Sequence, residues 1–382
     1  MKKIAIIGAS YLQKPLVQKA QMMGLQTICF AWPEGAVCKD IADKFYPISI
    51  LQKEDILFVC QQEQIDGICT IASDIAAPTV AYVAEKMGLV GNPYSVAVCA
   101  NNKYLMRQAF SVAGLPNPMY AHITSNIVVD KSYLHSLHCT MKFPLIVKPC
   151  DRSGSLAVVK VNGEDELFCA VKNAQSVSFV HEAMVEEYIE GREISVESIS
   201  YNGKHYPLQI TDKETTGSPH YVELAHHQPA DLPVEMYKKI YALTSRALTA
   251  LGITNGASHS EFRITDTGQI VIMEIGGRMG GDFIGSNLVY LSTGYDFVRG
   301  VIELAIGSFQ IPQISENRHS GVYFLCNETK DLLPIFRSVD KYPCILECEL
   351  FNSTLHSVAC SADRNGYFIY QSDHRVSKNE LI

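Results

Sequence analysis

Apolar and polar positions alternate in blocks along the first quarter of the chain. Residues 4–7 form an uninterrupted apolar run closed by Gly8, and a helical pattern follows to Gly24. Residues 27–30 and 45–48 read as two more short strands. Residues 65–71 read as a fourth, ending at Ala72-Ser73-Asp74, with a helix running on to Met87-Gly88. Continuous apolar strands separated by helices predict a parallel sheet covered on both faces over residues 1–95.

The pattern then changes. Asn101-Asn102-Lys103 opens a helix that ends near Gly114-Leu115-Pro116. A strand at 143–149 leads into a polar loop, Asp151-Arg152-Ser153-Gly154-Ser155, and 158–161 reads as the returning strand. A helix over 164–172 and a strand over 185–189 complete a small lid, so 96–190 is expected to be a linker helix plus lid. Alternation resuming at 193–199 marks a larger platform over 191–310. A polar stretch holding Lys213, His220 and His226-His227 precedes a helix at Leu232 and reads as an irregular loop of the kind that covers a site. Residues 311–382 are expected to be a strand-rich region, with strands at 321–325 and 367–370. The fold class is thus α/β followed by α+β.

Bulk properties narrow the function. A chain of 382 residues is too long for one ordinary core. Hydrophobic residues make up 47% and charged residues 19%, a globular balance, and the net charge of -8 gives no reason to expect nucleic acid or an anionic membrane as partner. None of the twelve cysteines forms a Cys-x-x-Cys pair. Those in apolar segments, Cys29, Cys60, Cys69 and Cys169, read as buried small hydrophobes in a reducing compartment. The Met1-Lys2-Lys3 start leads into too short an apolar run for a signal peptide, and no segment is long enough to span a bilayer. A cytoplasmic location is expected. Gly8-Ala9-Ser10 sits where a dinucleotide fold keeps its phosphate loop, but no further glycine follows until Gly24, which argues against nicotinamide binding.

The chemistry concentrates in two segments joined by a turn at Asp266-Thr267-Gly268. Glu261 and Glu274 close adjacent strands, so their carboxylates can face one point. Oxygen ligands of this kind suit magnesium held against a polyphosphate. An exposed hairpin with acidic ends is the plainer alternative, but Glu274 follows an apolar run and precedes Gly276-Gly277, where burial is expected. Arg278 can fork onto phosphate or carboxylate, and Gly280-Gly281 allows close approach. Asp282 orients a substrate amine or caps the next helix. His259 shares a face with Glu261 and contacts substrate, shields the metal or belongs to the core. Lys148, at a strand end, presents a compact cation to phosphate or simply faces solvent. The loop after it offers amides and hydroxyls at Ser153, Gly154 and Ser155, while Arg152 adds charge or faces water. Glu186-Glu187-Tyr188-Ile189 reads as an extended hinge for an adenine edge, with Glu193 taking ribose hydroxyls; a solvated acidic turn is the rival reading. Lys213, His220, His259, Gly281 and Asp282 are the weaker substrate candidates.

Taken together, these motifs resemble the ATP-grasp superfamily, and most of all its carboxylate–amine ligase and L-amino acid ligase branch, related to biotin carboxylase and the ATP domains of carbamoyl phosphate synthetase. The resemblance covers roughly residues 1–310. It implies an N-terminal pre-ATP-grasp domain and a two-part nucleotide clamp that uses ATP with magnesium (manganese as a substitute ion). On that resemblance Lys103 and Lys148 are the two nucleotide lysines, 151–155 the flap, 186–189 the adenine hinge, Glu261 and Glu274 the metal carboxylates and Arg278 the phosphate arginine. Glu274-Ile275-Gly276-Gly277-Arg278-Met279-Gly280-Gly281-Asp282 is especially like the amino acid ligases. Two departures stand out: Leu156-Ala157 follows Ser155 where many relatives carry arginine then glycine, and Gly276 stands where the family often has asparagine. No Met-Lys-Met biotinyl signature is present.

The resemblance implies ligation. The γ-phosphoryl of ATP passes to a carboxylate, an amine attacks the acyl phosphate, and an amide, ADP and phosphate leave. Lys148, Glu274 and Arg278 are the expected catalytic set, small carboxylates and amines the expected partners, and a homodimer is in keeping with the superfamily. Bicarbonate-dependent carboxylation is the alternative activity, and a noncatalytic nucleotide sensor a further one.

Overall fold

The computed structural model describes residues 1–127, 129–152, 154, 156–218 and 220–381. The first unit holds β1 (Lys3–Ile7), α1 (Lys14–Met22), β2 (Gln26–Phe30), β3 (Lys44–Tyr46), α2 (Lys53–Glu63), β4 (Gly67–Cys69) and α3 (Ala77–Met87). Its sheet is parallel throughout, in the order β3-β2-β1-β4. Ile4 and Ile6 pack toward one core with Leu16 and Val17, while Ala5 and Ile7 pack toward another with Ile56 and Val83. Both faces are therefore covered, which is why the strands read as unbroken apolar runs.

Next come α4 (Tyr94–Asn101) and α5 (Lys103–Val112). Asn102 ends the first and caps the second, its Oδ1 accepting the Tyr104 and Leu105 amides at 3.0 and 3.1 Å. The lid comprises β5 (Tyr120–Ile123), α6 (Lys131–Thr140), β6 (Leu145–Pro149), β7 (Val159–Val161), α7 (Glu164–Val177) and β8 (Ala183–Glu187). Its four strands are antiparallel, in the order β5-β8-β6-β7. Ile123, Val147, Ala183 and Val185 pack on Leu137 of α6 and Leu167 and Val171 of α7. Cys169, expected inside, is exposed, because the buried stripe of α7 runs through Leu167, Ala170, Val171 and Ala174.

The platform contains β9 (Arg192–Tyr201), β10 (Lys204–Thr215), β11 (Glu223–Gln228), α8 (Val234–Leu251), β12 (Gly256–Ile264), β13 (Ile270–Gly276), α9 (Val289–Thr293), α10 (Phe297–Ala305), β14 (His319–Leu325), β15 (Ile345–Leu350) and β16 (Gly366–Ser372). All its strands lie in one sheet, ordered β13-β12-β9-β10-β11-β14-β16-β15. The strands beyond residue 310 thus extend the platform sheet itself. The expected loop around Lys213 and His226-His227 is corrected: Lys213 lies in β10, and both histidines lie buried in β11. The two strands pair Asp212 with His227 and Lys213 with His226.

One face of this sheet is apolar. Ile194, Val196, Ile210, Phe262, Ile272 and Ile275 pack with Ile240, Ala247 and Leu248 of α8 and with Met106 and Phe110 of α5. Because strand side chains alternate, the neighbours Glu193, Glu197, Lys213, His259, Glu261 and Glu274 fall on the opposite face. Among the described residues no helix is long and apolar enough to cross a membrane.

Candidate active site

β12 and β13 place the acidic pair. Glu261 and Glu274 are register partners across the antiparallel hairpin, so their side chains leave the same face. Each carboxylate meets an ammonium. Lys103 Nζ lies 2.8 Å from Glu274 Oε1 and also donates to the Arg152 carbonyl at 2.8 Å. Lys213 Nζ lies 2.8 Å from Glu261 Oε1, 2.9 Å from Glu193 Oε1 and 3.6 Å from Glu223 Oε1. Burial opposes the charge on Lys213, but Glu261, Glu193 and Glu223 outweigh it and hold the amine well above the ordinary lysine value. Burial likewise opposes the charge on Glu261, yet Lys213 and His259 keep its carboxyl well below the usual range. Two opposed carboxylates form an all-oxygen donor set, which fits a hard divalent cation.

Lys148, at the end of β6, approaches Glu186 Oε2 of β8 at 2.6 Å. Arg107 of α5 reaches the other Glu186 oxygen at 2.8 Å and donates to the Met273 carbonyl at 2.6 Å. Burial pulls Lys148 below the ordinary lysine value, and Glu186 only partly offsets burial and the charges of Arg107 and Lys103. Glu186 is therefore an internal counterion with its side chain 1% exposed. The hinge beyond it is partly committed, since the Glu187 and Tyr188 amides donate to the Met119 and Pro144 carbonyls at 2.9 and 3.3 Å. Lys160 sits 3.8 Å over the Tyr188 ring, and Arg263 binds the Ile189 carbonyl at 2.7 Å and Glu193 Oε2 at 3.3 Å. In the flap, Arg152 lies 4.2 Å over the Phe179 ring and Gly154 takes φ +66°, a conformation open to glycine. Ser153 and Ser155 lie outside the described residues.

Arg278 forks onto Asp74 of the first unit, Nε to Oδ1 at 2.7 Å and a terminal nitrogen to Oδ2 at 2.6 Å. Burial works against its charge, but Asp74 raises the guanidinium further above its ordinary value. A Cβ at Gly276 would collide with Asp74 Oδ1, so the carboxylate fills the room that the family's asparagine would need. Gly280 is equally constrained: a Cβ there would lie 2.6 Å from Glu197 Oε1 and 2.8 Å from His259 Nδ1. Its amide donates to Glu197 Oε2 at 2.9 Å. His259 bonds Glu197 through Nδ1 and lies 3.2 Å from Glu261 Oε1 through Nε2. Burial disfavours its charge, but Glu197 and Glu261 raise its pKa to about 9.

Asp282 is neither the cap of the following turn, whose N-cap is Phe283, nor free of a protein partner. Arg364 grips it with two contacts of 2.8 Å, and His226 Nε2 lies 3.8 Å away. Gly281 packs beside Ala72 of the first unit. His220 is exposed in the turn between β10 and β11. Sequence reasoning passed over Arg107, Glu197 and Arg364, and it took Asp74 only as a strand end. The Asp74–Arg278 and Arg364–Asp282 pairs span 204 and 82 positions, so no local spacing announces them.

With this geometry established, the chain can be set beside known proteins. A family model described as the ATP-grasp domain matches residues 141–286. The chain therefore contains an ATP-grasp domain. It is 27% identical over 250 residues to the alanine–anticapsin ligase of Bacillus subtilis, covering 60% of this chain and 51% of that protein. It is 30% identical over 198 residues to the D-alanine–D-alanine ligase of Geotalea uraniireducens, covering 49% of this chain and 60% of that protein. The chain thus spans about half of the length of one curated relative and somewhat more of the other. In fold it is similar to the crystal structure of an L-amino acid ligase from Bacillus licheniformis, with a TM-score of 0.79, 22% identity, and coverage of 100% of this chain and 95% of that one.

Proposed function

We propose that this protein is an ATP-dependent carboxylate–amine ligase that makes an amide through an acyl phosphate, acting on amino acid or peptide-like substrates. The observation that carries this reading is the register pairing of Glu261 with Glu274, with Lys103 against the second carboxylate and Lys148 and Arg278 contributed by neighbouring elements. The alanine named in both curated relatives supports an amino acid as one partner.

In this reading magnesium, held by Glu261 and Glu274, supplies charge neutralisation to the triphosphate. The protein's own cations do the rest. Lys103 and Lys148 bind phosphate oxygens, and Arg278 steadies the charge that moves to the carboxylate as the phosphoryl group transfers. Phosphoryl transfer of this type needs positioning more than a protein nucleophile. Lid closure excludes the water that would hydrolyse the acyl phosphate before the amine arrives.

The test is ADP release with magnesium across paired carboxylates and amines, with the product identified by mass. Amide formation coupled to ADP release supports ligation. Turnover with bicarbonate alone replaces it with carboxylation. The Glu274→Gln variant is expected to stay folded, at some cost in thermal stability from the stranded Lys103, and to lose about 10²–10³-fold in turnover. Unchanged turnover would remove Glu274 from the site.

A further inference from the structure

The lid sheet turns a second cluster of polar side chains toward the cleft, and the ligase reading uses none of it. His122 on β5, Cys150 just after β6 and Glu182 just before β8 place a ring nitrogen, a thiol sulfur and a carboxylate oxygen all within 4.8 Å of one another. We propose that this trio is a site for a borderline-soft divalent cation of the zinc class, distinct in chemistry and place from the all-carboxylate pair on the platform.

The topology explains why the three meet. His122 and Lys148 both register with Met184, so they leave the same face of the sheet as Met184. Alternation carries that face on to Glu182 and Cys150, two positions along each strand. The Cys150 amide continues the ladder by donating to the Glu182 carbonyl at 3.3 Å. The opposite face, with Ile123, Val147 and Ala183, is committed to the lid core.

Two of the three residues are also held from outside. The His122 ring stacks on Tyr104 of α5 with centroids 3.8 Å apart and planes 19° from parallel, leaving Nε2 2.7 Å from Glu182 Oε2. The Glu182 amide donates to Ser178 Oγ at 3.1 Å. Tetrahedral zinc with sulfur, nitrogen and oxygen ligands needs donor separations of roughly 3.3–3.8 Å, so closure asks for side-chain shifts of about one ångström. His122 and Glu182 keep side-chain exposures of 16% and 24%, which leaves a path for a hydrated ion and a fourth position for water. Binding takes the thiolate of Cys150 and releases its proton to solvent.

The mixed donor set separates this site from the magnesium pair. Sulfur and imidazole select against magnesium and calcium, which prefer oxygen. The site also abuts the nucleotide machinery, because the Cys150 carbonyl accepts the Lys103 amide at 2.7 Å. An ion bound here ties that carbonyl to β5.

Cobalt titration of the full chain, in excess magnesium, tests the proposal through the thiolate-to-metal absorption band. One equivalent is expected to develop the band. C150S should abolish it, and H122Q should weaken cobalt binding at least about tenfold. C169S, at an exposed cysteine, and E274Q should leave it intact. Circular dichroism and thermal melts of each variant separate ligand loss from misfolding, and H122Q carries the test if C150S does not fold. No band in the wild-type chain, a band that survives in both C150S and H122Q, or one that disappears in C169S would overturn the site. None of these outcomes depends on whether the protein is a ligase.

Discussion

Glu186 shows what a single residue holds together. Its carboxylate is the shared counterion of Arg107 and Lys148, two cations taken out of water in the heart of the clamp. Breaking such a pair costs more than the pair contributes, because the stranded charge keeps its desolvation penalty. Glu186→Gln keeps the shape and removes the charge. It is expected to lower unfolding free energy by about 3–5 kcal/mol, measured by denaturant titration. His259 makes the complementary case through pH. Its pKa rises from 6.5 to about 9 on folding, so the protonated ring stabilises the native state fully below 6.5, and that gain disappears as pH rises through 9. Relative to His259→Gln, the wild-type chain should lose at most about 3 kcal/mol across that window. Parallel pH profiles for the two proteins would contradict the assignment. The acidic pair, Lys103, Lys148 and Arg278 could be singled out in the sequence because each stands in a short motif. Asp74, Arg107 and Glu197, which pair with Arg278, Glu186 and His259, could not, because only the folded chain brings them near.

At the scale of elements, one cap bears on the proposed nucleotide site. Asn102 starts α5, and Lys103 is the first residue of that helix. Asn102→Ala removes both side-chain bonds to the Tyr104 and Leu105 amides and should cost about 1 kcal/mol of stability. Because the helix start also aims Lys103, the same variant should raise the KM for ATP more than it lowers kcat. An unchanged KM would separate the cap from the site. The parallel strands, the Glu261–Glu274 hairpin and the Asn102 helix start were all legible, since apolar runs, a turn at Gly268 and a capping residue mark them. β10 and β11 were not. Their cleft-facing positions carry Lys213, Glu223 and other polar groups satisfied by distant partners, so the strands read as a polar loop. The helix α4 also escaped notice, lying directly against α5 with no glycine or proline between them.

At the scale of the whole molecule, the first unit and the platform share an apolar core, in which Leu16 and Val17 pack with Phe297 and Val301, and specific contacts add to it. Arg278 reaches back to Asp74, and Met279 forms a parallel bridge with Ile71, so the first unit is fastened to the platform where Arg278 is held. The sequence separated the strand-rich end from the platform because the stretch between α10 and β14 carries no regular pattern. The ladder crosses it: β11 pairs directly with β14, from Ala225–Tyr323 to Gln228–Ser320. A protein shortened to end at residue 310 would therefore leave the amides and carbonyls along one side of β11 with no neighbour, and would strip Tyr370 from its 2.8 Å bond to His227. An uncovered strand margin is a template for another chain. On size-exclusion with light scattering, such a fragment should form assemblies larger than those of the full chain, or precipitate. The last seventy-odd residues, which carry no recognisable motif, would then act as a stopper that keeps the platform sheet from recruiting its own copies.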